Sequence, residues 1–160
     1  MISLHKPCSK FRRLLALSLA VLISFLCFTT PIFSAETGAV CFKDFCVHPE
    51  IARTSIQKQR GLSGRKKLNK GQGMLFTYDY EVRPNFWMKN MLIPLDFIWL
   101  NGQGEVVNIS ERIPPCGTNS CPTITSPKMV QYVLELPSGS IQKVGIKIGD
   151  HAAIKLGKIS

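Results

Sequence analysis

Residues 86–96 (FWMKNMLIPLD) set Lys89, Asn90 and Asp96 among large apolar side chains. A charge in such surroundings is costly unless it is paired. These residues therefore either satisfy one another or serve a ligand. In the structural version, Asp96 pairs with Lys89 or with backbone amides and pins a proline-containing turn. In the binding version, Trp87 is a stacking wall, Lys89 and Asn90 donate to a ligand, and Asp96 accepts from it. Arg60 and Arg65, in or beside a glycine-rich stretch, either add contacts to an anion or belong to a solvated basic surface. An acid–base role for Asp96 on a polar envelope or carbohydrate substrate requires a second titratable group nearby, such as Glu135 or Lys89, and an open cleft.

Other catalytic patterns are weak. His5 falls in the N-terminal segment, and His48 and His151 lack neighbours at metal-ligand spacing. Ser63 in Gly-Leu-Ser-Gly does not match a nucleophile elbow. No phosphate-binding glycine motif stands between a strand and a helix, and no cofactor or metal is expected. Beyond residue 35 the cysteines are Cys41, Cys46, Cys116 and Cys121, two pairs with four residues between each. Pro114, Pro115 and Pro122 flank the second pair, and Gly117 lies within it. Loop chemistry of that kind lets Cys116 and Cys121 meet, in a bond worth about 2 kcal/mol. Cys41 and Cys46 would face opposite sides of one extended strand, so they pair only if Lys43–Asp44 makes a turn. A four-cysteine zinc site is the alternative, although structural zinc sites usually close with two-residue spacers.

The N-terminus reads as a targeting segment. Lys6, Lys10, Arg12 and Arg13 precede an apolar run over residues 14–28, the order recognised by the secretory machinery. Ser34 and Ala35 offer a cleavage site, with Phe33 or Ile32 where a second small residue is preferred, so residues 1–35 are a signal peptide or an uncleaved anchor. Either way the positive charges keep that end cytoplasmic and the remainder faces the periplasmic or extracellular side. The chain carries 20 Lys/Arg against 10 Asp/Glu. All the acids follow residue 35, and the basic excess concentrates in Arg53, Lys58, Arg60, Arg65, Lys66, Lys67 and Lys70. Such a surface favours anionic partners, including an anionic membrane surface or another envelope component. Nucleic acid is disfavoured, because no recognition motif accompanies the charge.

Residues 36–160 have the length of one domain. Residues 40–51 read as one or two strands. Thr54 caps a short helix over 55–60 that Gly61 stops. Residues 74–80, 86–91, 95–100, 105–110, 131–136 and 151–156 read as further strands, with Asn101-Gly102 a hairpin turn and a second short helix over 140–144. The expected fold is mainly β: a compact sandwich or barrel of about seven short strands with one or two short helices.

The order of motifs is informative. Arg60-Gly61-Leu62 is followed by Gly73-Met74-Leu75-Phe76, Phe86-Trp87-Met88-Lys89-Asn90 and Ile93-Pro94-Leu95-Asp96. Then come the Pro-Pro-Cys…Cys-Pro loop, Tyr132-Val133-Leu134-Glu135-Leu136-Pro137-Ser138-Gly139 and Gly149-Asp150. Over about residues 45–156 the chain resembles the domain of unknown function 192 family (uncharacterised protein family 0127). Ser63 stands where that family usually has Met, and Met91 where Thr commonly follows Lys-Asn. The resemblance implies a β-sandwich-like fold and frequent export, and supplies no activity. The expected function is a non-catalytic extracytoplasmic module that binds a small polar or anionic ligand through Lys89, Asn90 and Asp96, helped by the basic loop.

Overall fold

A computed structural model describes residues 36–117 and 120–157. The expected targeting segment, with Cys8, Cys27 and His5, lies outside the described residues. Among those described, no helix is long and apolar enough to cross a membrane. Eight strands form two sheets: β1 (Ala39–Phe42), β2 (Phe45–Val47), β3 (Glu50–Ala52), β4 (Met74–Val82), β5 (Leu95–Leu100), β6 (Val106–Ile113), β7 (Val130–Pro137) and β8 (Ala152–Lys155). The smaller sheet has the order β2-β1-β8 and the larger β3-β4-β7-β5-β6. Of the strand pairings among the described residues, β3–β4 alone is parallel. Two helices lie among the described residues, α1 (Ser55–Arg60) and α2 (Ser140–Val144).

The larger sheet is buried on both faces, and strand alternation divides its side chains cleanly. Leu75, Ile98, Leu100, Leu134 and Leu136 pack with Val40, Phe42, Val47 and Ala152 of the smaller sheet. Met74, Phe76, Leu95, Phe97, Trp99 and Val133 pack on the other face with Leu62, Phe86, Met88 and Met91. All six residues of β5 are buried, which is why LDFIWL lacks the polar alternation of a half-exposed strand.

Two local outcomes differ from the sequence expectation. Residues 40–51 give three strands, because Lys43 takes a left-handed conformation (φ 40°) and folds β1 onto β2. That turn sets Cys41 opposite Cys46, and a disulfide joins them across a Cα separation of 4.0 Å. A second disulfide joins Cys116 to Cys121, so the four sulfurs are bonded in pairs rather than gathered around zinc. Residues 86–91 do not form a strand. They are extended but make single bridges only, Phe86 with Ile124 and Lys89 with Cys116. Asn90 then turns left-handed (φ 62°) and breaks the run, a conformation asparagine tolerates better than most residues.

Thr54 and Gln57 form a capping box on α1, and the Gly61 N–H returns to the Gln57 carbonyl. Gly73 has a stricter role. It leads into β4 so close to β7 that a Cβ there would stand 2.2 Å from the Glu135 carbonyl oxygen and 2.9 Å from Leu136 Cδ2. Gly73→Ala is expected to destabilise the protein by about 2 kcal/mol or more, as overpacking against rigid backbone does. Equilibrium urea unfolding measures this, and a loss within experimental error would refute the close-approach argument.

Candidate functional site

The two acids of the central strands take opposite faces of the larger sheet. Asp96 pairs in register with Leu136, whereas Glu135 pairs with Phe97 and with Met74. Asp96 therefore shares the face covered by the smaller sheet, and Glu135 the face covered by the aromatic cluster. They form no carboxylate pair.

Asp96 is fully buried, and both its oxygens are used. Oδ1 accepts from the Arg112 N–H at 2.8 Å and Oδ2 from the Ile141 N–H at 3.0 Å. Arg112 (φ 54°) sits in a bulge where three steps of β6 oppose two of β5, and this turns its amide towards the carboxylate. Ile141 lies in the first turn of α2, whose N-cap Gly139 has no side chain to offer. Asp96 thus caps α2 from a neighbouring strand, where a negative charge also suits the helix dipole. Arg112 and Gln142 add a side-chain hydrogen bond between bulge and helix.

The other sequence candidates are dispersed. Lys89 and Asn90 are exposed, and the Asn90 carbonyl accepts from Gly64 N–H, tying the glycine-rich loop to the 86–91 segment. Arg65 makes a two-pronged ion pair with Glu50, which raises its affinity for its proton. Arg60 and Trp87 do meet. Both line a cavity of about 310 Å³, bounded by α1 and the 61–63 turn, by Phe76 and Tyr78 of β4, and by Asn85, Phe86, Trp87 and Met91.

Glu135 also lines this cavity. Its Oε2 is buried with no hydrogen-bond partner, the one such side-chain atom found among the described residues. Burial pushes the Glu135 carboxyl up to about 8, because a low-dielectric site disfavours the charged form. Tyr78 is pushed up to about 12, first by its own burial and then by the Glu135 charge. The Lys58 ammonium lies 4.0 Å from the centre of the Tyr78 ring, and desolvation lowers its proton affinity. Phe86 makes edge contacts with Phe76 at 4.8 Å, Trp99 at 5.5 Å and Phe97 at 5.7 Å, so the wall that carries Trp87 is anchored in the core. Trp87 itself is 52% exposed. The arrangement is an aromatic recess with one neutral-leaning carboxyl and no histidine, cysteine or second carboxylate in its lining.

The sequence matches the DUF192 family (Uncharacterized ACR) over residues 40–154. The chain belongs to that family. Two solved structures share the fold of this DUF192 protein. One, from Sinorhizobium meliloti 1021 and named as a candidate transcription regulator, is 27% identical with a TM-score of 0.67, covering 76% of this chain and 94% of that one. The other, a protein of unknown function from Novosphingobium aromaticivorans DSM 12444, is 28% identical with a TM-score of 0.66, covering 77% and 89%. A comparison with curated proteins gives no match. Ser63, which stands where the family usually carries Met, lines the cavity here, and a methionine would occupy part of that space.

The Glu135 face went unrecognised in the sequence except as a partner for Asp96. The available signal was an acid at an apolar position of period two, in Val133-Leu134-Glu135-Leu136.

Two outcomes follow for the acids. Asp96→Ala takes the acceptor from the buried Ile141 amide and the part-buried Arg112 amide and is expected to cost about 3 kcal/mol, lowering Tm by about 10 °C; a change below about 1 kcal/mol would contradict the capping role. For Glu135 the folded value lies above the unfolded one, so the native state holds the extra proton. Its contribution is full below about pH 4.5 and is lost as pH rises through about 8. The unfolding free energy of the wild type should therefore fall relative to Glu135→Gln between about pH 5 and pH 9. Parallel pH profiles in urea would show that Glu135 is not buried as described.

Proposed function

We propose that this protein is a non-catalytic, extracytoplasmic ligand-binding module whose ligand enters the recess between α1, β4 and residues 85–91 and meets Glu135. The observation that carries this reading is the buried, unpartnered Glu135 oxygen in an aromatic-walled cavity. A buried polar atom without a partner costs about 1–3 kcal/mol, and a ligand that completes its hydrogen bonding recovers that cost. The cavity volume suits a small molecule. The 85–91 wall is held by the Phe86–Ile124 bridge and by the Cys116 N–H on the Met88 carbonyl, so the recess is preorganised.

A binding role is favoured over an acid–base reaction on a glycoside. Two-carboxylate hydrolysis needs the groups about 5–9.5 Å apart across one substrate, and Asp96 is sealed on the far face of the sheet with both oxygens occupied. Export is supported by the two disulfides, since such bonds persist in oxidising compartments, and by the basic-then-apolar N-terminus. Of the earlier ligand candidates, Arg60 and Trp87 remain at the recess.

The test is a thermal-shift screen of small polar molecules on wild type, Glu135→Gln and Ser63→Met. A ligand at about 100 times its Kd adds about 2.7 kcal/mol and raises Tm by several degrees. Hits are expected to weaken in both variants, one through the carboxyl and one through lost space. Hits that shift all three proteins equally would place binding elsewhere and sink the reading.

A further inference from the structure

Resting on that binding-site reading, we infer that the ligand group received by Glu135 is an organic ammonium, a protonated or methylated amine, held between the carboxylate and the faces of Tyr78 and Trp87.

The recess offers what such a cation uses. Glu135 has a free buried oxygen, and the rings of Phe76, Tyr78, Phe86 and Trp87 surround the space. Aromatic faces attract cations, most strongly when both are shielded from water. The molecule itself shows the affinity: the Lys58 ammonium lies 4.0 Å over the Tyr78 ring, although it gives up hydration to do so. No ion pair joins Lys58 to Glu135 among the described residues, and the ammonium stands over the Tyr78 ring rather than on the carboxyl. A ligand ammonium would supply that missing partner and compete with Lys58 for the ring.

The basic loop argues for an anion only at the surface. Arg65 is committed to Glu50, and Arg60 is exposed, so its field is screened over roughly 8–10 Å. The charged or titratable groups facing Glu135 are few. On α1 they are Lys58 and Arg60, and on β4 Tyr78. The cavity-lining residues of the 85–91 segment are Asn85, Phe86, Trp87 and Met91, none of them titratable, and the register partners of Glu135, Phe97 and Met74, are apolar. Glu135 is thus the acidic group of the recess, and cation binding draws it into the ionised form.

The experiment titrates the full chain, purified in a neutral detergent, with three phenyl-bearing probes of different charge: benzyltrimethylammonium, benzyl alcohol and benzoate. Tryptophan emission and calorimetry report binding. The ammonium probe is permanently charged, so its pH dependence reports the protein. Its affinity should rise about tenfold per pH unit up to about pH 8 and then level off. Glu135→Gln should remove that slope and weaken binding at least about tenfold above pH 8. Lys58→Met should tighten it several-fold by removing the competitor. Preference for benzyl alcohol or benzoate, still dependent on Glu135 and blocked by Ser63→Met, would overturn the ammonium assignment and leave the site standing. Benzoate binding lost in Lys58→Met would do the same. Probe binding indifferent to both Glu135→Gln and Ser63→Met, or no binding by any probe, would overturn the ammonium assignment and the site together.

Discussion

The structure depends on a central pair of strands, β5 and β7, that is covered on both faces. A half-exposed strand can turn a charged side chain to water; these two cannot. Each carries an acid, and the antiparallel register sends the two acids to opposite sides. The chain must therefore satisfy one buried carboxylate within each of its two cores. It does so completely for Asp96, with two amides brought to it by a bulge in β6 and by the start of α2. It leaves Glu135 short of a partner. The same fold thus contains a finished polar contact and an unfinished one, 39 positions apart in sequence and on either side of one sheet.

This asymmetry divides the labour between the two faces. Around Asp96 every neighbour is a regular element: the smaller sheet, α2 and the bulge. Around Glu135 the cover is built from irregular backbone, the 61–63 turn and residues 85–91, fastened by Leu62, Phe86, Met88 and Met91. Loops that grip a core at four apolar points can leave a recess between those points, while a packed sheet cannot. Recognition surfaces are drawn from such segments because side chains can change there without disturbing a ladder of backbone hydrogen bonds.

Much of this was legible in the residues. The Thr54 cap, the Gly61 stop and the β5–β6 hairpin follow from local chemistry, and they are found where that chemistry puts them. Residues 86–91 misled because an aromatic-rich run bounded by proline resembles a strand, and nothing local reveals that it will find only isolated bridges. The Cys41–Cys46 bond depended on whether Lys43 would accept a left-handed turn, a choice decided by pairing with β8 as much as by the residue itself. The site was harder still. Lys89, Asn90 and Asp96 stood out as polar residues in an apolar run, yet two of them are surface and one is structural. Glu135 was less conspicuous, because its role depends on register with β4 and β5 rather than on its sequence neighbours.

Register also explains why one acid is satisfied and the other is not. Asp96 lies near the end of β5, where β6 can bulge and α2 can begin within hydrogen-bond reach. Glu135 lies opposite Met74 and Phe97, in the interior of a sheet whose backbone groups are already committed to the ladder. No amide of the sheet can turn to it without breaking a strand pairing. The approach of Gly73 to the Glu135 carbonyl closes the remaining backbone route. Any partner must come from side chains across the aromatic face or from outside the protein. Lys58, a cation in the lining of that face, stands over the Tyr78 ring instead. Among the described residues the ladder on both flanks thus leaves Glu135 with a buried oxygen that no hydrogen bond reaches, because register puts it beneath side chains that are apolar.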